Sequence, residues 1–140
     1  MCSSDLTAAS NGGGIYCFVS SPVLNNTILW GNTAALLGHQ IYTWTSHGSP
    51  CTVTLNYSDY ADNTLDLNNI AGYGTVTATN HCITSNPLFV GGGNYHLQAT
   101  SPCKDAGSNA LVPSGVTTDL EGYPRIAGTA VDMGAYEYKP

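Results

Sequence analysis

Three carboxylates crowd one stretch of this chain: Asp59, Asp62 and Asp66, within Tyr57-Ser58-Asp59-Tyr60-Ala61-Asp62-Asn63-Thr64-Leu65-Asp66. Two carboxylates a few ångströms apart hydrolyse glycosidic bonds, one protonating the leaving oxygen while the other activates water. These three are the catalytic candidates if the chain is an enzyme. Asp59 and Asp62 also suit a plain corner, where Asp bonds its own backbone. The Asp, His and Arg motifs that accompany pectin hydrolysis are missing, Gly38-His39 and His47-Gly48 being fragments at most. A calcium-dependent lyase needs an Arg or Lys base, yet Lys104, Arg125 and Lys139 all lie far downstream. With Asn63 the cluster offers oxygen ligands to a hard cation, but its spacing matches no calcium loop. His39, His47, His81 and His96 are too scattered for a metal constellation. Neither metal nor cofactor is expected.

Nine Tyr and two Trp suggest different chemistry. A sugar ring presents an apolar C–H face that stacks on the electron-rich face of an aromatic ring. Tyr16 and Tyr42, 26 residues apart, and Trp44 beside them are the ligand-binding candidates, with a glycan as the partner. Thr27, Thr52, Thr54, Thr75 and Thr77 raise a third reading, because regular threonine arrays on flat β faces resemble ice-binding surfaces. Leu29 interrupts one column of that array. Arg125, the only arginine, sits between Asp119 and Asp132. Its planar fork suits a carboxylate and predicts a structural pairing that pins one loop to the end of the chain. Asp105, Asp119, Asp132 and Glu137 are read with it as structural residues.

The elements that hold these residues follow from repetition. Thr27-Ile28-Leu29-Trp30, Thr52-Val53-Thr54-Leu55 and Thr75-Val76-Thr77-Ala78 recur at offsets of 25 and 23. Alternation points Ile28/Trp30, Val53/Leu55 and Val76/Ala78 one way and the threonines the other. A second set interleaves: Ile15-Tyr16-Cys17, Ile41-Tyr42-Thr43, Leu65-Asp66-Leu67 and Leu88-Phe89-Val90. Short strands with Gly/Asn/Ser/Asp corners bury an inner face only when successive repeats stack. The reading is all-β: a short right-handed parallel β-helix of about three to four coils, with a β-sandwich as the structural alternative. Residues 12–90 form the coils and residues 91–140 a C-terminal capping segment, within a single domain spanning 1–140.

Composition sets bounds. Charged residues are 9% of the 140, against about 25% in ordinary domains, and 16 Gly, 16 Thr and 12 Asn leave helices poorly supplied. A net charge of −6 excludes an ordinary phosphate-tracking nucleic-acid binder. No run approaches the roughly 20 apolar residues of a membrane span, so no membrane insertion is expected, and the sequence shows neither a signal peptide nor an anchor. Cys2, Cys17, Cys51, Cys82 and Cys103 include no C-x-x-C pair and are read as small buried thiols, with one disulfide left open.

The series Asn86-Pro87-Leu88-Phe89-Val90, Tyr95-His96-Leu97, Ser101-Pro102-Cys103-x-Asp105-Ala106-Gly107, Asp119-Leu120-x-Gly122-x-Pro124-Arg125 and Val131-Asp132-Met133-Gly134-Ala135-Tyr136-Glu137 resembles the end of bacterial choice-of-anchor Q proteins. Gly12-Gly13-Gly14-Ile15-Tyr16 and Asn26-Thr27-Ile28-Leu29-Trp30-Gly31-Asn32 resemble their repeats. The resemblance implies a secreted or cell-surface protein built on a right-handed parallel β-helix. The leading expectation is a non-catalytic module serving structure, adhesion or glycan contact. The alternative is a partial or degenerate carbohydrate-active enzyme. Residues 1–11 make a poor cover for the first coil, so a homodimer through that end is a further expectation.

Overall fold

The computed structural model describes residues 2–46, 49–61 and 70–140. They form an all-β chain in which parallel pairing dominates, with one 3-10 turn at Asn109–Leu111 and no α-helix among the described residues. Strands β1 (Cys2–Ser4), β2 (Thr7–Ala8), β3 (Ile15–Phe18) and β4 (Val23–Asn25) are followed, in the same order, by β5 (Ile28–Trp30), β6 (Thr33–Ala34), β7 (Ile41–Trp44) and β8 (Thr52–Asn56). Then come β9 (Asp59–Tyr60), β10 (Ile70–Gly72) and β11 (Thr75–Thr79). The parallel sheets are β1-β5-β9, β2-β6, β3-β7-β10 and β4-β8-β11. β-Branched and aromatic residues fill the longer strands, the composition a pleated, half-buried surface favours.

Two expected registers are observed: Ile15, Tyr16 and Cys17 pair with Ile41, Tyr42 and Thr43, and Thr52–Asn56 pairs with Thr75–Thr79. The others change. Thr27-Ile28-Leu29-Trp30 does not lie over Thr52; Val23–Asn25 pairs with Thr54–Asn56, and Ile28 pairs with Cys2 and with Asp59. The passage from β7 to its partner position on β8 is five residues longer than that from β3 to β4, so a fixed step near 25 slides from one sheet to the next. Leu65-Asp66-Leu67 lies outside the described residues, and Ile70–Gly72 pairs with β7 instead. Leu88-Phe89-Val90 joins no parallel stack: β12 (Phe89–Gly91) forms an antiparallel hairpin with β13 (Asn94–Leu97). Parallel pairing thus begins at Cys2, ahead of residue 12, and its last bridge joins Asp59 to Ile83.

The corners repeat as well. Asn26, Tyr57 and His81 each adopt a left-handed backbone conformation directly after Asn25, Asn56 and Asn80. Those asparagines form a ladder: Asn56 Nδ2 donates to Asn25 Oδ1 (3.0 Å) and Asn80 Nδ2 to Asn56 Oδ1 (3.3 Å). Gly12 and Gly38, at φ +74° and +70°, turn the chain just before β3 and β7. A Cβ on Gly38 would sit 2.6 Å from Tyr42 Cβ and 2.7 Å from the Ile41 carbonyl oxygen. Gly38→Ala is expected to cost about 2–3 kcal/mol in denaturant unfolding. Gly115→Ala, at φ +96° with nothing within 4 Å, should cost only about 1 kcal/mol.

Two apolar clusters lie on either side of one sheet. Consecutive residues of β5 face opposite ways: Leu29 packs with Cys17, Ile41, Cys51, Val53 and Leu55, while Ile28 packs with Leu97, Cys103 and Met133. The C-terminal segment therefore covers the outer face of β1-β5-β9. Asn26 exchanges two hydrogen bonds with the Ser108 backbone (2.8 and 3.0 Å), Gly134 N donates to Asn26 O, and Tyr95 Oη donates to Asp5 Oδ2. Trp30, expected among the inward residues of the coils, packs instead at the edge of the second cluster.

Candidate functional site

Sheet β3-β7-β10 has an outer face of aromatic rings. Ile15, Cys17, Ile41 and Thr43 turn inward, so strand alternation sends Tyr16, Phe18, Tyr42 and Trp44 outward. The register places Tyr16 beside Tyr42 and Phe18 beside Trp44. Ring centroids lie 5.3 Å apart for Tyr16–Tyr42 and 6.3 Å for Tyr42–Trp44, and Tyr73 meets Trp44 edge-on at 4.9 Å. Tyr42 is 4% exposed and forms the pedestal, whereas Tyr16 (52%), Phe18 (57%), Trp44 (36%) and Tyr73 (72%) are open to solvent. Burial raises the Tyr42 phenol above its usual range, with Tyr16 and Tyr73 adding to it, so it stays a neutral hydroxyl. The structure thus brings Tyr16, Tyr42 and Trp44 together and adds two rings that spacing alone missed. Phe18 shares the parity of Tyr16, and Tyr73 hides in a Gly-Tyr-Gly corner.

The threonine array is reduced to two rungs. Thr52 pairs with Thr75 and Thr54 with Thr77, but Val23 occupies the place beside Thr54. Thr27 lies just ahead of β5, buried, donating to Asn25 O.

Asp59 is not at an open corner. It lies on β9, fully buried, with Oδ1 accepting from Ser85 N (3.2 Å) and Oδ2 from Cys103 Sγ (3.1 Å). Burial pushes its carboxyl up to about 6, a value useful to a general acid, while the covering segment closes it off from solvent. Burial and the neighbouring Asp59 keep the Cys103 thiol protonated and donating. Asp62 and Asp66 lie outside the described residues.

The five residues read as structural form one connected network. Arg125 Nη1 pairs with Glu137 Oε1, and Nη2 donates to the carbonyls of Asp132 (3.2 Å) and Gly134 (2.9 Å). The partner is thus Glu137 rather than Asp119 or Asp132. Asp132 accepts from Asp105 N and Tyr138 N, each at 2.6 Å, and Asp105 Oδ1 accepts from Thr129 N at 2.7 Å. Asp119 accepts from Glu121 N, Tyr123 N and Glu137 N. Burial, with Asp132 adding to it, pushes the Glu137 carboxyl up to about 7 against the pull of Arg125. Backbone N–H groups, that of Ala130 foremost, hold Asp105 below the usual carboxylate range. The network spends its polar atoms on its own backbone, which is what anchors a segment poor in regular structure. His96 is stacked on Tyr136 at 4.3 Å with Nε2 3.2 Å from Glu121.

Among the described residues no group of three His, Cys, Asp or Glu is placed to hold a metal ion, and no helix is long and apolar enough to cross a membrane. No family model, curated protein or solved structure matches the chain.

Proposed function

We propose that this chain is a non-catalytic glycan-contacting module, and that its parallel sheets are the faces of a short right-handed β-helix of three to four coils. Support for the coils comes from the order in which the chain visits its sheets, repeated from β1–β4 to β5–β8, and from the near-universal right hand of parallel crossovers. The observation that carries the functional reading is the outer aromatic face of Tyr16, Phe18, Tyr42, Trp44 and Tyr73. Solvent-facing rings held in fixed register suit the apolar faces of consecutive sugars, with tyrosine hydroxyls and the indole N–H offering hydrogen bonds to ring hydroxyls. A rigid platform loses little conformational entropy on binding. The secreted or cell-surface setting implied by the choice-of-anchor Q resemblance is where such a module would meet polysaccharide.

A glycan array probed with the native chain tests this. Binding to one or more polysaccharide classes is expected, weakened about tenfold by Trp44→Ala, equivalent to ~1.4 kcal/mol, and unaffected by Leu120→Ala on the covering segment. No release of reducing ends should accompany binding. Turnover by the native chain that disappears in Asp62→Ala would replace this reading with the enzymatic one.

A further inference from the structure

Cys17 and Cys51 meet in the middle of the coil core. Cys17 is on β3 and Cys51 directly precedes β8, 34 residues along the chain, yet their sulfurs are 3.0 Å apart. That is closer than the roughly 3.5–4.0 Å at which even smaller carbon atoms rest in contact. Both side chains are buried, 3% and 2% exposed. The other described thiols are engaged elsewhere: Cys82 Sγ donates to the carbonyls of Thr79 (3.0 Å) and Leu55 (3.3 Å), and Cys103 Sγ to Asp59.

We propose that Cys17 and Cys51 are a disulfide-forming pair, a covalent cross-link between neighbouring turns of the core. A small inward movement of the two sulfurs reaches the bond length of about 2.05 Å. The electron acceptor is a low-molecular-weight or protein disulfide. One cysteine, as its thiolate, attacks a sulfur of the acceptor and expels one acceptor thiolate; the second cysteine then displaces the other. Two protein S–H groups and one acceptor S–S become one protein S–S and two acceptor S–H groups. Burial, with Cys51 adjacent, holds the Cys17 thiol above its usual range, so thiolate is scarce once the core has closed. The bond therefore forms while the core assembles, and the folded chain then shields it. It persists where the surroundings are oxidising.

Refolding the denatured native chain in a mixture of oxidised and reduced glutathione, then blocking free thiols, tests the pairing. The acidic protease pepsin suits the peptide map, because Lys104, Arg125 and Lys139 leave trypsin no cut between the two cysteines. A Cys17–Cys51 linked peptide is expected as the dominant product, with the oxidised form melting roughly 10 °C above the reduced form. That difference should vanish in a Cys17→Ala/Cys51→Ala double variant. Dominant linkage through Cys82 or Cys103, full alkylation of Cys17 and Cys51 in folded oxidised protein, or a linked form that melts below the reduced one would each overturn the proposal.

Discussion

Arg125→Ala is expected to lower stability by about 3–5 kcal/mol at neutral pH, the cost of leaving a buried carboxylate without its partner. Glu137 is 1% exposed and keeps only the backbone N–H groups of Asp132 and Ala127 once its cation is gone, and Arg125 also donates to the Asp132 and Gly134 carbonyls, so one substitution takes a donor from three acceptors. The deficit should depend on pH with a definite sign. Without the guanidinium, burial and Asp132 raise the Glu137 carboxyl beyond its native value of about 7. A carboxyl raised in the folded state contributes stability below its unfolded value and loses it as pH rises through the folded one. Loss relative to the native chain should therefore be greater at pH 8 than at pH 5, read by urea unfolding at both. Glu137→Gln in the Arg125→Ala background should recover part of the loss, because the buried charge is gone.

Asp59→Asn should flatten the response of stability to pH. The carboxyl titrates at about 6 in the folded chain against 3.8 for an ordinary Asp. Its stabilisation is complete below the unfolded value and is lost as pH rises toward 6 and beyond, a total of about 3 kcal/mol at ~1.4 kcal/mol per unit. Between pH 4.5 and pH 7.5 the native chain should thus lose about 2 kcal/mol more than the variant, or roughly 5–8 °C in melting temperature. Asn keeps an oxygen to accept from Ser85 N, so the variant should fold. Glu137 also loses stability toward neutral pH, but it is common to both proteins and cancels in the difference. Parallel pH curves for the two proteins would mean that Asp59 is not the buried acid described.

The sequence revealed strand pairing where strands are long and loops are equal. Ile15-Tyr16-Cys17 and Ile41-Tyr42-Thr43 could be matched by eye because 26 residues separate them and their alternation agrees. A fixed step misplaces Thr27 because the extra residues between β7 and β8 shift the partners of β4 and β5 by five relative to those of β3. A better frame for β4 and β8 lies in the corners: Asn25-Asn26 and Asn56-Tyr57 each put a left-handed residue directly after an asparagine, and Asn25 pairs with Asn56. The aromatic face was half legible, since Tyr16, Tyr42 and Trp44 lie on recognisable strands whereas Tyr73 sits among corner glycines. Asp59 was not legible at all. Its burial depends on Cys103, 44 residues away, and on a covering segment whose docking no local pattern reveals.

Trp30 and Trp44 are the only tryptophans, so a Trp30→Phe variant leaves Trp44 as a single reporter on the aromatic face. Titrating it with soluble neutral, acidic and N-acetylated oligosaccharides should give a saturable change in emission for at least one class, lost when Tyr16→Ala is added. Emission unmoved by every class, with the variant shown to be folded, would contradict glycan contact through this face.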